Sequence, residues 1–372
     1  GQDRQAQLPW WHRAAAQQVG HYWIKTDLPA EEAGALARHL NLMHEAYAGR
    51  LARLPARAPT PMNVLLFADR VEYEQTLRWR YGVEAADTGG MFFVKPQGTG
   101  LALWTGGRPP QRVLHVLRHE GFHQFAYSRF GNDLPIWVNE GMAEFFGESI
   151  LVGDRLILGQ STPRLVDRVR SAIEHDDSIP FERMLTMDSD RWGAALRDGT
   201  AALQYAQAWS MVHFLVYGSG GRYTQAFEQY LRLLNTGVRS AEAFARAFGP
   251  GVHPRELMAR FEQKWRDYAL ASVPSAFATA MERIEFLAEG AMALSDREIV
   301  PGSLDELQEE LAKIQFEHSL DRHGRRIALR YDDPAMYVIP KDDLASDQPV
   351  VEVEAPNILR LPRRLRRLED IQ

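Results

Sequence analysis

Residues 119–123 read HEGFH, and residues 137–144 read WVNEGMAE. The two histidines of the first segment are four positions apart, so on a helix they lie on the same face. Two imidazoles on one face can hold one zinc ion, and the glutamate between them can act as general base toward the water that zinc activates. The first segment therefore predicts a helix with His119 and His123 as metal ligands and Glu120 as a base.

A catalytic zinc ion needs a third protein ligand and an open position, and the second segment offers Glu140. Sixteen residues, 124 to 139, separate it from His123, which is enough to end one helix, turn and return a second helix alongside. Asn132-Asp133 and Pro135 predict the start of that second helix. The alternative is a buried histidine pair and surface glutamates on two ordinary helices. Apolar residues at helical spacing support both helices: Val113, Leu114, Leu117, Phe122 and Phe125 in the first, and Trp137, Val138, Met142, Phe145 and Phe146 in the second.

HEGFH followed by WVNEGMAEFF resembles the gluzincin zinc peptidases of peptidase clan MA, of the thermolysin and aminopeptidase N type. In those enzymes HExxH precedes an Asn-Glu-Gly-x-Ala-like segment whose first glutamate binds zinc. The nearest look-alike is a bacterial branch of the clan that is known mainly as a domain of unknown function. The resemblance implies a zincin fold in which Zn²⁺ is bound by His119, His123 and Glu140, with Glu120 as the catalytic base.

Two further roles are implied by the resemblance. Glu144, one turn after Glu140, matches an acidic position that orients a ligand histidine, with a solvated helix carboxylate as the alternative. Tyr205, at the start of a predicted long helix, resembles the tyrosine that stabilises the oxyanion in the aminopeptidase N type, with a core tyrosine as the alternative. A metzincin pattern does not fit, because it would need glycine in place of Ala126 and histidine in place of Arg129.

Gluzincins place an edge strand above the zinc ion, and an extended peptide substrate adds to it by backbone pairing. The resemblance suggests Leu101, Ala102, Leu103 and Trp104 as this strand, and a plain core strand is the alternative. Aminopeptidases of the clan hold the free N-terminus with a Gly-x-Met-Glu-Asn type segment. Residues 89–93, GGMFF, are the closest string and lack the acid, and this departure counts against exopeptidase activity.

Two other histidines accompany these segments. His115 lies four residues before His119, and we interpret it as a polar residue at the helix start, with a place in the cleft as the alternative. His213 follows Tyr205 by two helical turns, and we interpret it as a packing or hydrogen-bonding histidine.

The composition of the 372 residues limits the possible functions. The 49 acidic and 43 basic residues give a net charge of −6, which predicts no general attraction to nucleic acid. A hydrophobic content of 45% is typical of a soluble globular protein, and no stretch approaches the roughly 18 to 20 apolar residues of a membrane span. The absence of cysteine excludes disulfides and thiolate zinc ligands. The chain begins Gly1-Gln2-Asp3 without methionine or an apolar signal region, which leaves the compartment open, with a secreted or periplasmic location favoured.

Hydrophobic patterning predicts an α+β protein. A small N-terminal α/β layer with an edge strand (1–108) precedes a mostly helical catalytic part with the zinc site (109–272), a small α+β appendage (273–340) and a charged tail (341–372). The predicted strands of the first layer are 22–24, 62–67, 91–95 and 101–105, and its predicted helices are 30–54 and 69–81; the appendage is expected to contain strands at 327–330 and 336–339.

The leading hypothesis from the sequence is a zinc-dependent peptidase that acts on a peptide or protein substrate. One alternative is a catalytically inert peptide-binding protein on the same fold, and another is a zinc hydrolase of a non-peptide amide. The complete HExxH motif with Glu140 argues against the inert protein, because a binding module has no need of Glu120.

Overall fold

The computed structural model describes residues 15–51, 54–55, 61–86, 88–152, 155–322 and 325–338. Within these residues the protein is α+β, with an N-terminal sheet followed by a largely helical body, so the predicted fold class is confirmed. The predicted charged tail at 341–372 lies outside the described residues.

A five-stranded sheet forms the N-terminal layer. The three central strands are parallel to each other, and the strand at each edge is antiparallel to its neighbour. Two of these three, Met62–Phe67 and Gly98–Trp104, are mostly apolar because both faces of the sheet are covered there. The strands are β1 (Gln17–Val19), β2 (Tyr22–Thr26), β3 (Met62–Phe67), β4 (Gly90–Lys95) and β5 (Gly98–Trp104), in the order β1-β2-β3-β5-β4.

Helices cover the two faces of this sheet. One face packs on α1 (Ala30–Leu51) and α3 (Pro110–Phe130), around a core that includes Tyr22, Ile24, Leu40, Val64, Leu101, Leu103 and Leu117. The other face packs under α2 (Arg70–Thr76) and the wide helical turn Leu77–Tyr81, around Leu65, Phe67, Tyr73, Leu77, Phe93 and Ala102. Asp69 caps α2 by accepting hydrogen bonds from the backbone N–H groups of Val71 and Glu72.

The strand order corrects the predicted substrate-binding edge. Leu101, Ala102, Leu103 and Trp104 lie in β5, which pairs with β3 on one side and with β4 on the other. Its backbone groups are therefore engaged within the sheet and cannot pair with an extended peptide. The edge beside α3 is formed by β4 instead, because β4 and β5 are joined by a two-residue hairpin that folds β4 onto the outside.

The helical body follows the sheet and contains the largest apolar core. It comprises α3, α4 (Ile136–Gly147), the hairpin of β6 (Ile150–Val152) and β7 (Arg155–Ile157), α5 (Pro163–Glu174), α6 (Phe181–Thr186), α7 (Ser189–Arg197), α8 (Ala201–Gly221), α9 (Thr224–Asn235), α10 (Ser240–Phe248) and α11 (Pro254–Ala271). The backbone of α8 is non-helical at Gly218, Ser219 and Gly220.

Two glycines allow the central helices to approach closely. A Cβ atom at Gly141 of α4 would lie 2.5 Å from the carbonyl oxygen of Ala208 in α8. A Cβ atom at Gly121 of α3 would lie 3.0 Å from the hydroxyl oxygen of Tyr47 in α1. That hydroxyl donates a 2.6 Å hydrogen bond to the carbonyl oxygen of Arg118, so α1 is fixed against α3 beside the HExxH segment. Each of the two helices of the candidate site is thereby held in close contact with a neighbouring helix.

The C-terminal part has a small core of its own, around Phe286, Leu294, Leu311 and Met336. It comprises α12 (Ala276–Ser295), α13 (Leu304–Lys313), β8 (Glu317–Arg322), β9 (Arg325–Arg330) and a short 3₁₀ turn at Pro334–Tyr337. The expected strand at 336–339 is wrong for residues 336–338, which lie in this turn or directly after it. Asp333 caps the turn by accepting a hydrogen bond from the N–H of Ala335. No helix in the described parts of the chain has both the length and the apolar character that a membrane span requires.

Candidate metal centre

Helices α3 and α4 bring three ligand-type side chains to one point. Nε2 of His119 and Nε2 of His123 are 3.1 Å apart. Oε2 of Glu140 lies 3.5 Å from Nε2 of His119 and 3.4 Å from Nε2 of His123. The predicted helices are both present, and they place the two histidines and Glu140 together as the spacing indicated.

These distances fit a metal ion held by all three groups. Zinc bonds to nitrogen and oxygen of about 2.0–2.2 Å place tetrahedral ligands roughly 3.3–3.6 Å apart. The three observed separations, 3.1, 3.4 and 3.5 Å, are close to these expected ligand–ligand distances. Two imidazole lone pairs and a carboxylate oxygen at such distances repel one another unless a proton or a cation lies between them. The donor set therefore suits a divalent cation.

The other nitrogen of each histidine faces an oxygen atom. Nδ1 of His123 lies 3.1 Å from Oδ1 of Asn139, and Nδ1 of His119 lies 3.4 Å from Oε1 of Glu144. Oxygen at Nδ1 favours the tautomer with the proton on Nδ1, which leaves the Nε2 lone pair directed at the shared point. Sequence reasoning assigned Glu144 to this kind of role and missed Asn139, whose place directly before Glu140 was the available signal.

The structure also separates the roles of the two glutamates on α4. Glu140 faces Nε2 of both histidines, whereas Glu144 is fully buried on the Nδ1 side of His119. One cation cannot be bound by Nε2 of both histidines and also by Glu144, because the two nitrogens of an imidazole point in opposite directions. A second group that could hold a metal ion, on His115, His119 and Glu144, shares only His119 with the first.

Charges within the site shift the protonation of its members. Burial alone would lower the pKa of His119, but hydrogen bonds to Glu140 and Glu144 outweigh it and hold that pKa well above its usual value. For His123, the charge of Glu140 likewise outweighs burial and raises the pKa. Burial opposes ionisation of Glu140, yet His123 and His119 lower the pKa of its carboxyl to about 2. Glu140 is thus a carboxylate, which is the form that binds metals.

The Glu120 carboxylate contacts the edge of the sheet. Its Oε2 accepts a 2.7 Å hydrogen bond from the backbone N–H of Phe92 in β4. Burial raises the pKa of Glu120, and the nearby His119 and His123 offset part of this effect. A carboxylate beside the cation site but outside its ligand set is the arrangement that a general base requires.

Tyr205 lies in the first turns of α8, and its ring centroid is 6.4 Å from that of His119. Trp192 packs edge-on against it at 5.3 Å. Burial raises the pKa of Tyr205 above its usual value, and the charge of Glu140 adds to the effect. The phenol therefore stays protonated at neutral pH, as a hydrogen-bond donor next to the site must.

Three further residues of α3 and α8 are His115, Arg118 and His213. His115 is partly exposed, with Nδ1 3.8 Å from Oε1 of Glu148, and it lies one turn before His119. Arg118 is buried, and its guanidinium donates to Nε2 of His39 at 3.0 Å and to carbonyl oxygens at the end of α4. No sequence pattern marked this arginine. Nδ1 of His213 and the hydroxyl of Tyr268 share a 2.6 Å hydrogen bond inside the core, so the interpretation of His213 as a packing or hydrogen-bonding histidine is confirmed.

Residues 114–237 match the model of a family described as "Protein of unknown function (DUF1570)". The matched range contains the candidate ligands on α3 and α4 and extends beyond Tyr205. The description carries no activity. No curated protein matches the sequence.

Proposed function

We propose that this protein is a zinc-dependent peptidase. The observation that carries the proposal is the convergence of His119, His123 and Glu140 at separations of 3.1–3.5 Å, with Glu120 beside them and outside the ligand set. Two histidines and a glutamate form the ligand set of several catalytic zinc sites, in which the fourth position remains open. The resemblance of both segments to gluzincin peptidases supports the same conclusion.

Zinc is the metal that fits best. A set of two histidines and one carboxylate is also used by non-haem iron oxygenases. Histidines at positions i and i+4 of one helix, with a glutamate directly after the first, favour zinc and hydrolysis. When bound at such a site, zinc lowers the pKa of water toward about 7 and polarises a carbonyl oxygen. His119, His123 and Glu140 would hold it, and Glu144 and Asn139 would orient the two imidazoles.

The edge strand β4 offers a place for an extended peptide. Phe92 donates its N–H away from β5, so the backbone groups of every second residue, Gly90, Phe92 and Val94, face the side of β4 that pairs with no strand of the described sheet. Because Glu120 contacts the same edge, a peptide paired there would pass directly beside the candidate base. Backbone pairing of this kind binds peptides with little dependence on sequence.

The chain's own side chains can carry out the proton transfers of amide hydrolysis. In that reaction water adds OH to the carbonyl carbon and H to the nitrogen as the C–N bond breaks. A Glu120 carboxylate oxygen would accept the proton from water and pass it to the departing amine. The Tyr205 hydroxyl would donate a hydrogen bond to the oxyanion, and loss of such a donor typically costs on the order of 10² to 10³ in rate.

The two alternative functions are tested by the same experiment. We would incubate zinc-supplemented protein with a mixed peptide library and identify new termini by mass spectrometry, with Glu120→Gln as the matched control. A peptidase should cleave peptides in the parent protein, and Glu120→Gln should retain fold and metal yet lose nearly all cleavage. Stoichiometric zinc without cleavage of any peptide would contradict the proposal and favour an inert binding protein or a hydrolase of another amide.

A further inference from the structure

Arg108 connects the start of the edge strand to the start of α3. Its Nη1 donates hydrogen bonds to the carbonyl oxygens of Gly89, at 2.6 Å, and Trp104, at 2.8 Å. Its guanidinium carbon lies 4.8 Å from the centroid of the Trp104 ring. A Cβ atom at Gly89 would lie 2.4 Å from Nη2, so the guanidinium rests directly against the backbone where β4 begins. A cation is thereby fixed at one end of the open edge.

The charge of Arg108 is not balanced locally by the residues that the structure describes. None of their carboxylates lies within ion-pair distance of it, and its Nε and Nη2 donate to no group among them. The side chain is only partly buried, so the guanidinium is not closed off from solvent. A fixed guanidinium with unused donors is well suited to bind a carboxylate with two parallel hydrogen bonds.

The direction of β4 relative to α3 shows which end of a bound peptide would reach this cation. A Cβ atom at Gly90 would contact Val116, at 2.7 Å, and Phe92 reaches Glu120, so β4 runs from Arg108 toward the base. A peptide paired antiparallel to β4 would run the opposite way, with its C-terminal part extending from Glu120 toward Arg108. A parallel peptide would direct its amino end at the guanidinium, and the two like charges would repel.

The distance along the strand sets how far the recognised group lies from the bond that is cut. Gly89 and Phe92 are three positions apart, which corresponds to about 10 Å at roughly 3.4 Å per residue. A group bound at Arg108 would therefore lie two or three residues after a bond placed beside Glu120.

We propose that Arg108 determines specificity by binding the free C-terminal carboxylate of a peptide two or three residues after the bond that is cut. This inference rests on the proposed peptidase function, and it narrows the substrates to peptides that are shortened from the C-terminus by a dipeptide or tripeptide. Charged hydrogen bonds of this type correspond to about 10- to 100-fold in affinity.

The first test measures binding without turnover. Matched peptides ending in a free carboxylate or in a carboxamide would be titrated by calorimetry into Glu120→Gln protein. The free acid should bind about 10- to 100-fold more tightly than the amide. Adding Arg108→Gln should bring the ratio of the two affinities close to one, whereas Arg246→Gln, at an exposed arginine of α10, should leave the ratio unchanged. Equal affinity for acid and amide with Arg108 intact would overturn the proposal.

Two further measurements make the test specific. Arg108→Lys keeps the charge without the paired donors, and it should retain only part of the preference for the acid. A carboxamide peptide with aspartate at the same distance separates a side-chain carboxylate from the chain terminus; binding as tight as that of the free acid would overturn the assignment to the terminus.

Cleavage of the same peptides by the parent protein distinguishes the two proposals. Binding with the expected ratio but no cleavage contradicts the peptidase function alone, and cleavage without any preference for the acid contradicts the role of Arg108 alone.

Discussion

The backbone N–H of Phe92 donates a hydrogen bond of 2.7 Å to Oε2 of Glu120. This bond joins the edge strand of the sheet to the helix that carries both candidate histidine ligands. It lies on the side of β4 that faces away from β5, where a bound peptide would have to pair. A peptide that takes this N–H as its own partner would release the Glu120 carboxylate at the place where a base is needed.

Replacing Phe92 by proline should separate the edge function of β4 from its role in the sheet. Proline removes an N–H that does not belong to the ladder, so Phe92→Pro should fold, yet it should lose most peptide hydrolysis. Met91→Pro is the matched control, because the N–H of Met91 faces β5. It should cost about 1–3 kcal/mol of unfolding free energy by leaving a buried acceptor unpaired. Urea denaturation and peptide cleavage of both variants would test this. Equal destabilisation would contradict the assignment of the Met91 N–H to the β5 side and of the Phe92 N–H to the opposite side.

Metal content should depend on both histidines of α3. The purified protein should bind about one zinc ion per chain, and His119→Ala or His123→Ala should abolish stoichiometric binding. His253→Ala, at an exposed histidine before α11, should leave the zinc content unchanged. Elemental analysis after dialysis gives the result, and stoichiometric zinc in either α3 variant would show that the site is assigned wrongly.

The two glutamates of α4 should differ in their effect on metal affinity. Glu140 faces Nε2 of both histidines, whereas Glu144 faces Nδ1 of His119. Loss of a direct ligand should reduce zinc affinity severely, and loss of a positioning carboxylate typically reduces affinity or activity about 10- to 100-fold. Competition of Glu140→Gln and Glu144→Gln with a chelator of known affinity would measure both, and the reverse order would make Glu144 the ligand.

Asn139 should act as a positioning residue for His123. Its amide oxygen lies 3.1 Å from Nδ1 of that histidine, so Asn139→Ala should weaken zinc binding about 10- to 100-fold without unfolding the protein. Asn132→Ala, at an exposed position in the turn before α4, is the matched control. Unchanged zinc affinity in Asn139→Ala would show that packing alone orients the His123 ring.

Gly141 should be intolerant of any side chain. A Cβ atom there would lie 2.5 Å from the Ala208 carbonyl oxygen, so Gly141→Ala must push α4 and α8 apart and should destabilise the fold by about 1–3 kcal/mol. At Gly49 in α1 a Cβ atom would meet no neighbour within 4 Å, and Gly49→Ala should stabilise by up to about 1 kcal/mol. Urea titration of both variants tests the contrast, and a stabilised Gly141→Ala would contradict the close helix contact.

The position of the candidate site could be predicted from the sequence because its rules are local. Histidines at positions i and i+4 share a helix face in any context, and the apolar spacing marked both helices. The pairing of Glu140 with these histidines followed from the resemblance and from the length of the intervening segment. The α+β class was likewise predictable from the alternation of strand-like and helix-like stretches.

The tertiary structure decided which strand forms the edge. Residues 90–95 and 98–104 both have strand patterns, and the sequence of a hairpin does not show which of its strands joins the sheet. Strand order depends on pairing between distant segments, here β3 with β5, and on burial of both faces of β5. The predicted edge at 101–104 was therefore one strand away from the true edge.

Short-range patterns determined the ligand helices of this protein, because helix periodicity repeats every 3.6 residues and needs no distant partner. Only the tertiary structure decided which histidine nitrogen Glu140, Glu144 and Asn139 each face. It also decided the contact of Arg108 with Gly89 and the hydrogen bond between Phe92 and Glu120. These relationships join residues on different elements, and they depend on how helices and strands pack together, which local sequence spacing does not encode.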